Sequence, residues 1–193
     1  MWNVTRPSVW IRKATLLTGE FGGTWDFDPG PGVGTITSHG DQDIFVAKYT
    51  NDGDFLWARA VGGTEFDRGM DVTADVDGGV YVTGMFRATA RIDGTSATMT
   101  SRGVGTASVE VRCSRCLRMV LRLRMIGQFD PVDEESGMDL SVDANGDVLL
   151  TGFYSGNTDM DPSEAEAILS TGAETNSYVA KYNSGGEHLG PSG

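Results

Sequence analysis

Histidine and cysteine are scarce in this chain of 193 residues, with two of each. Cys113 and Cys116 are a lone pair, too few for a disulfide framework or a four-ligand zinc site, so they do not report a redox compartment. No run approaches the ~20 apolar residues of a membrane-spanning helix. The opening MWNVTRPSVWIRK has no long apolar core and no small-residue cleavage site, and does not read as a signal peptide. Basic charge is short as well: 15 Lys and Arg stand against 27 Asp and Glu, a net charge of −12. That balance reads as an acidic surface and argues against a phosphate-backbone partner, so no nucleic acid is expected. No nucleophile elbow, P-loop or H-E-x-x-H occurs. No catalytic residue is assigned, and the chain reads as non-enzymatic.

Glycine is abundant, 27 residues, about double the usual ~7%. Apolar and aromatic residues remain plentiful, which argues against disorder. Glycine turns joining many short strands account for both. The chain also repeats itself. Thr18-Gly19-Glu20-Phe21, Thr83-Gly84-Met85-Phe86 and Thr151-Gly152-Phe153-Tyr154 share a Thr-Gly-x-aromatic step, with glycines 65 and 68 residues apart. Phe45-Val46-Ala47-Lys48-Tyr49 returns as Tyr178-Val179-Ala180-Lys181-Tyr182, 133 residues on. TGEFGGTWDFDPG (18–30) returns as TGFYSGNTDMDPS (151–163) at the same distance.

One period predicts four strands. MDVTADV (70–76) and VYVTGMF (80–86) are the first two. DIFVAKYT (43–50) and FLWARAV (55–61) are the last two, joined by a tight turn at Asn51-Asp52-Gly53-Asp54. A polar loop separates the pairs. A four-stranded unit with two faces and two edges is not stable alone, and radial stacking buries the faces. The expectation is an all-β, propeller-like array of about three four-stranded antiparallel blades with incomplete terminal blades. The copies run about 9–63, 67–127 and 139–183, with a glycine-rich tail at 184–193. The first copy lacks most of its first strand, and the third lacks the LWA strand. A closed propeller has at least four blades, so self-association or continuation in a longer array is expected.

DIFVAKYTNDGDFLWARAVGG (43–63), DRGMDVTADVDGGVYVTGMF (67–86), SGMDLSVDANGDVLLTGFYSGNTDMDP (136–162) and SYVAKYN (177–183) together resemble the bacterial β-propeller repeat family, the SBBP-type repeats of secreted and cell-surface proteins. The resemblance touches about two thirds of the chain. It implies an exported or cell-surface scaffold with a structural, protein-binding or glycan-binding role, and no catalytic residue. The pattern breaks between Gly94 and Gly127. SVEVRCSRCLRMVLRLRMIGQ (108–128) stands where the third and fourth strands belong, and six of the twelve arginines fall between Arg102 and Arg124. Two readings stay open: a divergent hairpin, which the alternation of Leu117, Met119, Leu121, Leu123 and Met125 with polar positions supports, or a shifted reading frame. MWNVTRPSVWIRK is similarly foreign to the repeat.

Several residues qualify as candidate sites. Asp26, Asp28, Asp159 and Asp161 form paired D-x-D-P loops, which could hold calcium or shape a turn through backbone hydrogen bonds. The middle copy keeps only Asp93, with Arg91 in the first position. Asp75–Gly79, Asp143–Asp147 and Asn51–Asp54 read as hairpin turns. Cys113 and Cys116 lie in strand-like flanks, where residues three apart face opposite sides. The arginines from Arg112 to Arg124 read as a solvated strand face, with an anion patch as the alternative. His39 precedes the third strand and has no counterpart in the last copy; His188 lies in the tail. Trp57 should face a neighbouring blade. Trp25 is either a core anchor or a contact for a sugar or peptide. Asn3 opens an N-glycosylation triplet. The long loop from Gly22 to Ser38 is the first place to look for binding. Other readings are a carboxylate hydrolase or lyase on a longer propeller, a calcium-stabilised adhesion module, and a partial gene product.

Overall fold

The computed structural model describes residues 4–11, 14–76, 78–93, 98–106, 109–114, 118–123, 136–154, 156–161, 167–170 and 174–190. The first unit contains β1 (Val4–Ile11), β2 (Ala14–Phe21), the short β3 (Thr24–Asp26) and β4 (Thr35–Thr37), then β5 (Asp43–Thr50) and β6 (Phe55–Gly62). The second contains β7 (Arg68–Ala74), β8 (Gly79–Ile92), β9 (Thr98–Thr106), β10 (Val109–Ser114) and β11 (Arg118–Leu123). The third contains β12 (Ser136–Val142), β13 (Val148–Tyr154), β14 (Asn157–Asp159), β15 (Ile168–Ser170), β16 (Asn176–Tyr182) and β17 (His188–Gly190).

Pairing gives the same four-stranded antiparallel ladder three times: β1-β2-β5-β6, β7-β8-β10-β11 and β12-β13-β16-β17. Between its second and third strands each unit sends out a hairpin: β3–β4, the far half of β8 with β9, or β14–β15. The end of β8 also pairs with β6, tying the first two units into one sheet. This is the all-β, propeller-like array that the repeat predicts.

Hairpin turns recur in one form. Thr50 N–H donates to the Asp54 carbonyl at 2.8 Å, and Gly53 N–H returns to Thr50 at 3.0 Å. Asp75–Gly79, Asp143–Asp147 and Asn183–Glu187 repeat both bonds. The fourth residue of each turn is a glycine at positive φ, such as Gly53 at 91°, a conformation that costs glycine nothing.

The apolar side chains collect in three cores. Leu16, Ile44, Val46 and Val61 of the first sheet pack with Val72, Val80, Val82, Phe86 and Ile92 of the second. The other face of the first sheet meets its own hairpin through Phe21, Phe27, Phe45 and Tyr49. Tyr81 of the second sheet joins Leu140, Val148, Leu150, Tyr178 and Tyr182 of the third. β7 lies against β1 and β2, and β12 lies against β7 and β8. Each unit thus stacks on its predecessor by its first strand.

The Thr-Gly step of the repeat sits at these joints. In every unit the pairing of first and second strands carries a bulge, at Val4/Arg6, Gly69/Asp71 and Gly137/Asp139. Gly84 lies opposite Gly69, and a Cβ on Gly84 would land on the Arg68 carbonyl oxygen. A Cβ on Gly69 would run into Thr18 Oγ1 of the first sheet, and that hydroxyl already donates to the buried Phe45 carbonyl at 2.8 Å. Glycine here allows close approach of strand to strand and sheet to sheet.

The ends differ from the sequence boundaries. β1 begins at Val4 and fills the first-strand place of the first unit. Its sequence shares no motif with β7 or β12 and contains Pro7, which an edge strand accepts. In the tail, the turn at Asn183 sends the chain back, and His188–Gly190 forms a three-residue fourth strand on β16. The divergent segment takes the hairpin form in its backbone: β10 pairs with both β8 and β11, the places of the third and fourth strands.

Gly84→Ala should destabilise the chain by about 1–3 kcal/mol in urea denaturation, the usual cost of overpacking a closed site. An unchanged midpoint would remove the close-approach explanation of the Thr-Gly step.

Candidate functional site

The two D-x-D-P loops are the tips of the β3–β4 and β14–β15 hairpins, and they are superimposable in their bonding. Asp26 Oδ1 accepts the N–H of Asp28 at 3.1 Å and of Gly34 at 2.8 Å. Asp159 Oδ1 accepts the N–H of Asp161 at 3.0 Å and of Ala167 at 2.9 Å. The residue between the aspartates is buried: Phe27 in the first loop, Met160 in the last. A tyrosine from the end of the third strand holds its carbonyl. Tyr49 Oη donates to Phe27 O and Tyr182 Oη to Met160 O, both at 2.8 Å. Burial pushes the Tyr49 phenol up to about 12, and the negative charges of Asp28 and Asp26 add to the effect. Tyr182 is raised further, by burial and then by Asp161 and Asp159. Both phenols are held as donors.

This bonding is the turn-shaping role expected of the aspartates. Among the described residues no group of three or more His, Cys, Asp or Glu gathers in a way that would hold a metal ion. In the middle copy β8 runs on through Arg91 to Ile92. Asp93 is drawn instead to the first unit, its N–H donating to Ala60 O at 3.0 Å.

Beside the first D-x-D-P loop lies an open pocket of about 400 Å³, lined by Asp28–Pro31 and by Asp52–Phe55 of the β5–β6 turn. Phe55 is half-buried and its ring lies 5.8 Å from that of Tyr49. Three aspartates, Asp28, Asp52 and Asp54, stand on this lining and no basic residue does. Asp28 Oδ1 is occupied by Gly30 N–H at 2.8 Å. Asp52 is exposed at the turn tip. The pocket offers negative charge over two prolines and an aromatic ring, a setting for a cationic, hydrogen-donating group.

A second cluster joins the first two units. Asp43 and Asp67 are wholly buried. A Cβ on Gly62 would lie 2.6 Å from Asp43 Oδ1 and 2.7 Å from Asp67 Oδ2, so the two carboxylates flank one glycine. Asp67 accepts Gly63 N–H at 2.8 Å and Arg87 N–H at 2.9 Å. Burial pushes its carboxyl up to about 6; those two N–H groups pull against this, and repulsion from Asp43 and Glu65 adds to it. His39 spans the joint, with Nδ1 2.7 Å from Asp43 Oδ2 and Nε2 3.0 Å from Asp93 Oδ1. Carboxylates only accept, so the ring serves both contacts when it carries both protons. Sequence reading singled out His39 and Asp93 separately and missed Asp43 and Asp67, which open the segments 43–63 and 67–86 but are not marked there as site residues.

The remaining candidates fall elsewhere. Trp25 is half-buried and packs with Phe21 and Phe27 at ring distances of 6.5 and 6.4 Å, as a core anchor. Trp57 packs against the core shared with the second sheet. The His188 ring lies 5.4 Å from that of Tyr182. Cys113 and Arg112 are in β10, Arg118 and Arg122 in β11, and Arg102 in β9. Asn3, Arg115, Cys116 and Arg124 lie outside the described residues.

No family model matches the chain. Among curated proteins, 163 residues align at 29% identity with an uncharacterized WD repeat-containing protein of Acanthamoeba polyphaga mimivirus. The match covers 80% of this chain and 12% of that relative. Likeness to a WD repeat-containing chain supports a β-propeller-type repeat and agrees with the three stacked ladders.

Two outcomes test the site chemistry. Tyr182→Phe leaves the buried Met160 carbonyl without its donor and should cost about 1–3 kcal/mol in urea denaturation; a neutral variant would show that the tyrosine does not hold the loop. For Asp67, the folded carboxyl titrates above its ordinary value of 3.8, so its stabilising contribution is complete at lower pH and is lost as pH rises through about 6. The stability of Asp67→Asn relative to the native chain should therefore rise with pH across that window in melts at fixed ionic strength. A constant difference would place the titration elsewhere.

Proposed function

We propose that the chain is a non-catalytic β-propeller-type scaffold that binds another protein at the loop end carrying the D-x-D-P hairpin. The pocket between Asp28–Pro31 and Asp52–Phe55 supports this reading most directly. It is concave, lined by two strand-connecting loops, acidic, and floored by proline and an aromatic ring. Loops held on a rigid stack of sheets are where such scaffolds place recognition. The complementary group is a lysine or arginine side chain on an exposed segment of the partner. The WD repeat-containing relative fits an interaction role. The resemblance to SBBP-type repeats would set that role on an exported or cell-surface protein. A protein partner is preferred to a glycan because Trp25, the aromatic beside the D-x-D-P loop that would offer a sugar platform, is spent on packing with Phe21 and Phe27.

A fluorescent peptide of alternating lysine and glycine serves as the probe. Binding should weaken several-fold in the double variant Asp52→Asn/Asp54→Asn and stay unchanged in Glu65→Gln/Glu174→Gln, which removes the same charge elsewhere. Equal weakening in both would reduce the interaction to net charge and end the assignment of the pocket.

A further inference from the structure

An arm of the second unit closes the joint with the first. Past Ala88 the far half of β8 runs beyond its pairing with β7 and reaches the end of β6. Val61 pairs with Ile92 and Gly62 with Arg91, and Asp93 N–H donates to the Ala60 carbonyl at 3.0 Å. The arm begins at a bend. Ala88 stands at φ 54°, the one non-glycine in the left-handed region among the described residues, and the register against β9 shifts between Arg87 and Thr89. Such a conformation persists only where surrounding contacts impose it. Here Asp67 Oδ1 accepts Arg87 N–H at 2.9 Å, and Gly63 lies so close that a Cβ on it would land on the Thr89 carbonyl oxygen.

His39 holds the end of the arm. Its Nε2 lies 3.0 Å from Asp93 Oδ1 and its Nδ1 2.7 Å from Asp43 Oδ2. The two carboxylates are unequal. Asp93 is a third exposed. Asp43 is wholly buried on β5, and its Oδ1 has no hydrogen-bond donor among the described residues. The charges around the ring are mostly negative. Asp43 comes from β5, Asp93 from the end of β8, Asp67 and Glu65 from the β6–β7 link, and Asp41 from the ring's own loop. The basic residues on these elements are Arg87 and Arg91, exposed on β8, and Arg68, held by Glu20 at 2.8 Å. The ring is thus the titratable link between the buried carboxylate and the arm.

A protonated imidazole donates to both carboxylates, and a neutral one has a single N–H. Asp43 is buried and would otherwise be left uncompensated, so the remaining proton stays on Nδ1. Nε2 then turns a lone pair toward Asp93 Oδ1. The contact that fails is the one between units. We propose that His39 is a pH-operated clasp: protonated, it ties the β8 arm to the first unit through Asp93, and on losing its proton it lets the arm open. The clasp is closed in acid and opens as pH rises. Asp67, whose carboxyl is pushed up to about 6 by burial, works in the same direction, because its ionisation adds a second buried negative charge at this joint. The inference concerns the joint of the first two units and is independent of the ligand assigned to the acidic pocket.

Hydrogen exchange of the full chain tests it. Protection is read for residues 87–93 relative to an unstructured chain, which removes the intrinsic effect of pH on exchange. Between about pH 5 and about pH 8, the interval in which histidine ordinarily changes charge, protection of the arm should fall several-fold while that of β13 holds constant. The fall should persist in Asp67→Asn and vanish in His39→Gln, whose amide does not titrate. Nitrogen NMR of the native chain supplies a measurement that needs no variant: the neutral His39 ring should carry its proton on Nδ1. A flat profile in the native chain, an equal fall in β13, a fall that survives in His39→Gln or is lost in Asp67→Asn, or a neutral ring protonated on Nε2 would each overturn the proposal.

Discussion

A four-stranded sheet that is apolar on both faces must be covered on both faces, and that requirement organises this chain. β8 shows it in one strand: Val80 and Val82 point to the first sheet while Tyr81 joins the core of the third, and all three are buried. β5 is similar, with Phe45 and Ala47 packed under the hairpin of its own unit and Ile44 and Val46 under the next sheet. Burying a valine or leucine fully is worth about 1.5–3 kcal/mol, so each uncovered face forfeits several such contributions. Stacking is thus the condition under which these strands persist as sheets. Gly84 of the Thr-Gly step serves it indirectly, since it gives room to the β7 backbone at Arg68 and Gly69, and Gly69 in turn lies against Thr18 of the first sheet.

The repeat was legible because its markers lie on the strands that make the joints. Thr-Gly-x-aromatic closes the second strand of the first and third units and lies midway along β8 in the second, and the Val-Ala-Lys-Tyr segment is the third strand of the first and third units. Their spacing, with the glycine turns, was enough to place three ladders in order. What escaped notice was backbone pairing without a motif. β1 and β17 take their places because an edge strand needs only one partner ladder, and Pro7 is compatible with that. β10 and β11 make the same point, for a segment of foreign composition still occupies the third and fourth places.

The loops were legible in part. Asp26 and Asp159 were found by repetition, and their Asx-type bonding follows from residue type. The tyrosine that completes each clamp was visible only as part of a strand motif, since Tyr49 and Tyr182 lie 22 residues beyond the carbonyls they hold. The joint around Asp43 and Asp67 left no periodic trace. The third copy has Asn176 where the first has Asp43, so repetition could not mark it.

Charge is where composition and structure diverge most. A net charge of −12 reads first as an acidic surface. Yet Asp43, Asp67, Asp71 and Asp75 are buried, and each accepts a backbone N–H, from His39, Gly63 and Arg87, Leu140, and Gly79 respectively. Asp26, Asp143 and Asp159 do the same in turns. Bulges and tight turns leave backbone donors outside the ladders, and a buried donor without an acceptor costs about as much as a lost hydrogen bond. A carboxylate with two oxygens answers two such donors at once. Many of the aspartates are therefore part of the chain's architecture, and their charge is already committed. Under the proposed function, the carboxylates left for a cationic partner are those that the backbone does not occupy, which sets Asp52 and Asp54 apart from the D-x-D pairs that announce themselves in the sequence.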